Sequence, residues 1–322
     1  MRALACRLEH GRRASAPEVT IAIPTRNRPA LLREAITSAL GQQSGRKIEV
    51  LVVDNGNPEV TRPVIAEFPD ARLSYYVNNS DYGMVANWNQ CLALASSPWV
   101  SILHDDDVLA PWFVEIACKF AIGSVAAVAV ECYFGSRLPE QFVGVPATLD
   151  IYRFGRSDFL WRNLTPFPGV LINCSLAQGL GGFNPSDHPI ADFSFWYALR
   201  AAGSVILIKN VGVLYRISEQ QVTATVVRST IRRTYFKRIR IGRDLGLGRA
   251  GARMIARYAT ERDYRDYRHR YKSLGESSYC EDKLLRRNSL RFVPGRLAKP
   301  LIRLIVGFVA LICRPGSFGN GG

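Results

Sequence analysis

The sequence predicts an α/β protein with a mostly parallel sheet covered by helices on both faces, followed by a basic helical extension. Three observations carry this: β-type and helical runs alternate from Val19, polar clusters fall at the ends of the β-type runs, and charge is segregated along the chain. With 322 residues, 48% of them apolar and 21% charged, the composition is that of a folded globule. That excludes a disordered, collagen-like or disulfide-scaffold protein. The formal charge is +15, yet residues up to Val227 hold 19 cationic against 20 anionic side chains, and the remainder 23 against 7. The high basicity therefore belongs to the tail, where an acidic partner is to be sought first.

The elements follow in order. Val19–Pro24, an almost wholly apolar and β-branched run, predicts a strand, and Pro29–Gln43 a helix that opens on proline. Ile48–Val53 is the next strand, then Glu59–Phe68 a helix, Arg72–Val77 a strand and Gly83–Ala95 a helix. Trp99–Leu103, helical Pro111–Phe120 and the apolar strand Val125–Val130 complete the series. In open parallel sheets ligands bind beyond the strand C-termini. Four consecutive strand ends are polar or acidic here: Thr25-Arg26-Asn27-Arg28, Asp54-Asn55-Gly56-Asn57, Asn78-Asn79-Ser80-Asp81 and His104-Asp105-Asp106-Asp107.

Residues 131–182, rich in Gly, Pro and aromatics, predict only strands and loops, after which Ala191–Ala202 is a helix and Val205–Ile208 a strand. Beyond Gln221 the chain turns Arg-rich and helical, with Ile231, Tyr235 and Ile239 at helical spacing. The reading is thus an N-terminal extension without fixed structure at 1–17, an α/β domain at 18–220 and a basic helical tail at 221–322. Seven cysteines include no C-x-x-C pair and fit a reducing compartment. Met1–Pro17 lacks the apolar core of a signal peptide, and no run reaches the roughly 20 apolar residues of a spanning helix.

Asp105-Asp106-Asp107 is the most informative feature. Adjacent carboxylates raise each other's pKa unless a cation neutralises them. Oxygen-rich clusters suit Mg²⁺ or Mn²⁺, which keep open positions for substrate phosphates. The alternative is a solvated acidic turn ahead of the next helix.

These segments together carry a family resemblance. Val19-Thr-Ile-Ala-Ile-Pro-Thr-Arg-Asn-Arg28, Val52-Val-Asp-Asn-Gly56, Asn79 and Gly83 with Asn87 and Asn89, and Ile102-Leu-His-Asp-Asp-Asp107 resemble the family 2 glycosyltransferases. Gly181-Gly-Phe-Asn-Pro185 with Ala191-Asp192, and Tyr215-Arg216, resemble the family's later elements. The resemblance implies a GT-A, Rossmann-like fold and an inverting, metal-dependent transfer from a nucleotide-sugar donor to a saccharide or lipid-linked acceptor in polysaccharide or glycolipid assembly. It further implies that Pro24, Thr25 and Arg26 lie along the donor nucleotide, that Asp54 meets the base, and that Asp81 stands near the nucleotide. Asp105 and Asp106 match the central DXD-type pair, with Asp106 the metal ligand beside Asp105, Asp107 or His104, and Asp192 matches the general base. The chain departs from the pattern at His104, Ala191 and Ser218, where relatives place Asp, an acidic residue and His.

The tail carries no helix-turn-helix, RRM or KH signature, so no nucleic acid is expected. Leu297, Leu301, Leu304, Ile305, Phe308 and Ile312 recur at helical spacing among Arg296, Lys299, Arg303 and Arg314. That pattern suits an amphipathic helix on an anionic membrane surface, the alternative being a helix packed on the catalytic domain, and the expected location is cytoplasmic, peripheral on the inner face of the cell membrane. Two rival functions are a catalytically degenerate glycan-binding scaffold and a sugar nucleotidyltransferase. The latter is disfavoured because Pro24-Thr-Arg-Asn-Arg28 is not a Gly-rich phosphate loop.

Overall fold

The computed structural model describes residues 2–12, 15–217 and 227–271. They divide into two compact units, one drawn from 1–155 and 163–224, the other from 156–162 and 225–322.

The first unit is built on a ten-stranded sheet. Its strands are β1 (Cys6–His10), β2 (Val19–Thr25), β3 (Ile48–Asp54), β4 (Leu73–Asn78), β5 (Trp99–Ile102), β6 (Val108–Leu109), β7 (Val125–Gly135), β8 (Ile151–Phe154), β9 (Val170–Asn173) and β10 (Ser204–Arg216). Their spatial order is β1-β4-β3-β2-β5-β9-β7-β10-β6, with β8 also paired to β10. The block β4-β3-β2-β5 is parallel, as is β7 with β10, while β9 runs antiparallel between β5 and β7. All seven residues of β2 and of β3 are buried, because helices cover both faces of the parallel block.

The helices of this unit are α1 (Pro29–Leu40), α2 (Pro58–Ala66), α3 (Met84–Leu94), α4 (Phe113–Phe120), α5 (Cys174–Gly179) and α6 (Ala191–Ala202). Helix α1 opens on Pro29, whose fixed φ suits a first turn, and buries Leu32, Ala35, Ile36 and Ala39 as one stripe. That stripe meets Ile21 and Ile23 of β2, Val50 and Val52 of β3, and residues of α2 and α4 in one apolar core. Helix α2 is capped by Asn57, whose side chain accepts from the Glu59 amide. In α3, Trp88, Cys91 and Leu92 are buried, whereas Met84 in its first turn is exposed.

Two readings of the sequence change here. The segment expected to lack structure contains β1, an edge strand antiparallel to β4 with Arg7 opposite Val77. It is tied further by Leu4 and Gln90, which exchange two hydrogen bonds, and by Tyr82 Oη, which donates to the Ala5 carbonyl at 2.8 Å. Arg7, Glu9 and His10 break apolar continuity, which matters for a signal peptide but not for an edge strand with one wet side. The strand expected at Val205–Ile208 continues to Arg216, because bulges let β10 follow β7 along its length.

The second unit pairs α7 (Val227–Asp244) with α8 (Arg249–Tyr271) against residues 156–162. Of the expected stripe, Ile231 is buried while Tyr235 and Ile239 are only partly covered. The largest buried side chain of α7 is Arg238, which donates to Asp263 at 2.5 Å, to Thr260 Oγ1 at 3.1 Å and to the Trp161 carbonyl. Ser218 and the expected amphipathic segment 297–312 lie outside the described residues.

Trp112, only 1% exposed, fills the space beside Gly212 and Val130 and donates to the Phe142 carbonyl at 2.9 Å. Trp112→Ala leaves a cavity and is expected to cost about 3–5 kcal/mol in urea unfolding.

Candidate nucleotide and metal site

The parallel block aligns its strand ends. Thr25 pairs with Asp54 and Asp54 with Val77, so the loops after β2, β3 and β4 emerge side by side, next to the turn after β5. Three residues of those loops shape one surface. Asn27 adopts φ +57°, a left-handed conformation that asparagine tolerates, and its Oδ1 accepts from the Asn57 amide at 2.7 Å. Gly56 lies so close that a Cβ there would stand 2.4 Å from Asn27 Oδ1. Glycine is needed at this position for close approach rather than for its φ.

The acidic turn is buried and internally bonded. Asp105 accepts from Thr25 Oγ1 at 2.9 Å, from the Arg26 amide at 3.2 Å and from Arg28 at 3.2 Å. Arg28 also reaches Asp106 at 2.7 Å, bridging the two carboxylates. Asp107 accepts from the Arg216 amide at 2.9 Å, while the Arg216 guanidinium donates to the Asp106 carbonyl and pairs with Glu34. Burial, reinforced by the neighbouring Asp106, pushes Asp105 up to about 6 and Asp107 well above the usual carboxylate range. Burial pushes His104 down to about 4.

His104, Asp106 and Asp107 offer ligand atoms all within 4.8 Å of one another. Two buried polar atoms here, His104 Nε2 and Asp107 Oδ2, have no hydrogen-bond partner. Carboxylate oxygens with one imidazole are a donor set that accepts Mg²⁺ or Mn²⁺, so the residues fit a divalent ion. Asp105 is instead spent on the loop after β2. His104 is wedged in an aromatic stack, 4.3 Å from Phe167 and 5.4 Å from Trp88 between ring centroids.

Beside the turn lies a cavity of about 480 Å³ lined by residues that include Arg26, Asn55, Gly56, Asn79 and Asp81. Asp81 accepts from Asn55 at 2.6 Å and pairs with Arg26 at 2.7 Å. Asp54 is fully buried and is not among the lining residues. Its two oxygens accept from the Gly56 amide and from Tyr75 Oη, each at 2.8 Å, so it orders the turn beneath the cavity. Pro24 is buried in β2 beside Val53.

Asp192 stands in the first turn of α6, and Asn163 Nδ2 donates to it at 3.2 Å. Burial pushes its carboxyl up to about 6. Trp196 on the same helix is fully buried against Phe167, Phe183 and Phe195 and belongs to the core. Through Phe167 and Phe183 this aromatic cluster joins α6 to His104. Sequence reasoning did not single out Arg28, Arg216, Asn163 or Phe167 as site residues. The first two sit inside quoted motifs and could have been found as counter-charges to the triplet; the last two lie in the irregular 131–182 segment and carry no local signal.

Residues 20–168 match the model of glycosyl transferase family 2. This segment is a family 2 glycosyltransferase domain. An uncharacterised glycosyltransferase of Mycoplasma pneumoniae is 33% identical over 100 residues, which are 29% of this chain and 33% of that protein. A GalNAc(5)-diNAcBac-PP-undecaprenol beta-1,3-glucosyltransferase of Campylobacter jejuni is 34% identical over 96 residues, covering 29% of this chain and 31% of that one. The match thus spans about a third of the length of these curated relatives. The mannosyltransferase PcManGT of Pyrobaculum calidifontis, solved with GDP-Man and Mn²⁺, superposes with a TM-score of 0.56 at 18% identity, over 92% of this chain and 81% of that one. The fold of the glycosyltransferase domain is GT-A, a large α/β sheet with its parallel block flanked by helices.

The raised carboxyl of Asp192 has a thermodynamic signature. Its proton is held more tightly in the folded than in the unfolded chain, so its contribution is complete below about pH 4 and is lost as pH rises through about 6. Asp192→Asn is therefore expected to melt above the wild type at pH 8, with the gap closing by pH 4, in paired thermal melts.

Proposed function

We propose that this protein is an inverting, metal-dependent glycosyltransferase that moves a sugar from a nucleoside diphosphate to a saccharide or lipid-linked hydroxyl. The observation that carries the reading is the cluster of His104, Asp106 and Asp107 at a strand end beside the amide-lined cavity. In this reading the nucleotide occupies the cavity, with Arg26 and Asp81 around it and Pro24, Thr25 and Asp54 supporting the loops from below. His104, Asp106 and Asp107 would hold Mn²⁺ or Mg²⁺, which when bound supplies positive charge to a diphosphate leaving group.

Arg28 already places a cation on Asp105 and Asp106, so the turn keeps its shape without further charge. Asp192, pushed up to about 6, is a base matched to neutral pH. The acceptor oxygen attacks the anomeric carbon, its proton passes to the Asp192 carboxylate, and the bond from that carbon to the phosphate oxygen breaks. One base without a covalent nucleophile gives inversion, through an oxocarbenium-like transition state. The buried aromatic cluster under α6 holds that carboxylate in place.

The relative that acts on an undecaprenol-linked glycan supports a lipid-linked acceptor. A membrane-surface role is supported by α7, where Arg232, Arg233, Phe236, Arg240 and Arg243 are exposed at helical spacing, Phe236 by 52%. Cations around an exposed aromatic suit an anionic lipid interface. No helix among the described residues is long and apolar enough to cross a membrane.

Asp192→Asn is expected to lower transfer at least 10³-fold while leaving nucleotide affinity within twofold, measured by product formation and calorimetry. Near wild-type turnover would remove Asp192 from the mechanism. Asp106→Ala is expected to abolish the Mn²⁺ dependence of nucleoside diphosphate binding. For the membrane role, charge reversal at Arg232, Arg240 and Arg243 is expected to remove most flotation with anionic vesicles at ~0.1 M salt, where surface charges still act over about 10 Å. Undiminished flotation would assign membrane affinity elsewhere.

A further inference from the structure

Arg7 belongs to the strand that precedes the family-matched segment, yet it lines the cavity assigned above to the nucleotide. The sheet register explains how it gets there. Thr25, Asp54, Val77 and Arg7 are successive partners across β2, β3, β4 and β1, so they form one row over four neighbouring strands. Cross-strand partners point to the same face, which sets the Arg7 side chain at the end of the row that begins at the acidic turn. Asn78, the last residue of β4, pairs with Cys6, and the Asn79 amide donates to the Ala5 carbonyl, so β1 also anchors the loop that forms the cavity wall.

The side chain is half exposed and steered rather than locked. Its contact is Glu9, at 2.7 Å, and Glu9 is independently held by Arg62 through bonds of 2.8 and 2.9 Å. Glu9 therefore does not need Arg7, and the Arg7 fork retains donors for a ligand. On the cavity's other side Arg26 is engaged by Asp81. A donor-only group at the wall away from the acidic turn faces the part of a nucleotide most distant from its phosphates.

We propose that β1 is a wall of the donor site and that Arg7 is a specificity-determining residue which donates to a carbonyl oxygen on the nucleotide's base. Uracil, thymine and guanine carry such an oxygen, and guanine can take the fork bidentately; adenine has none. The assignment rests on the glycosyltransferase reading of the cavity.

Calorimetry with UDP, dTDP, GDP and ADP in Mn²⁺, on the full chain, tests it. The wild type is expected to prefer one carbonyl-bearing nucleotide over ADP. Arg7→Ala should weaken that nucleotide about tenfold and leave ADP within twofold, the usual scale for losing one charged hydrogen bond. Arg7→Lys, which keeps the charge but not the fork, should recover part of the loss. Arg33→Ala, on an exposed arginine paired with Glu67 outside the cavity lining, serves as the charge control and should change nothing. The proposal is overturned if Arg7→Ala binds all four as the wild type does, or weakens all four equally with a lowered Tm. A wild type that binds none of the four overturns the glycosyltransferase reading first, and the Arg7 assignment with it.

Discussion

Three consecutive carboxylates buried at one turn must be neutralised, and the architecture around Asp105, Asp106 and Asp107 answers that demand. Two distant parts of the chain meet the three carboxylates. The loop after β2 gives Asp105 a hydroxyl, an amide and Arg28; Arg28 extends to Asp106; and Arg216, more than a hundred residues later, gives Asp107 its amide and the Asp106 carbonyl its guanidinium. Sheet order makes this possible, since β2 neighbours β5 and β10 pairs with β6 just past the turn. Removing one of these partners would leave an uncompensated charge in a poorly solvated place, which costs more than the lost bond.

The triplet is not a uniform patch. Asp105 is committed to holding the loop after β2, whereas His104, Asp106 and Asp107 converge, with unpartnered atoms on His104 and Asp107. Asp54 makes a similar division in the next loop. Being buried under the 55–57 turn, it shapes the cavity through Gly56 and Tyr75 without lining it. Carboxylates that look equivalent in a motif thus separate into those that organise backbone and those left open to chemistry.

The N-terminal strand shows why a local reading was insufficient. Its polar residues look like a loose extension, and no periodicity within five residues could announce a partner seventy residues away. An edge strand draws stability from pairing, not from its own burial, so its signal resides in β4. The same holds for Arg238, a cation in an Arg-rich helix whose burial follows from Asp263, Thr260 and Trp161 meeting it.

By itself, the sequence determined the alternation of strands and helices, the side of the sheet where chemistry collects, and the acidic turn. Those properties are local: β-branched runs, capping residues and adjacent charges act over a few positions, and the parallel block with its polar strand ends follows from them. Which carboxylate pairs with which cation, that Asp54 lies beneath the cavity, that Trp196 is core and that Arg7 reaches the cavity wall were decided by the tertiary structure. Each depends on strand order and register, which bring together residues tens to more than a hundred positions apart, and a charge's role is set by how much water and which partners that juxtaposition leaves it.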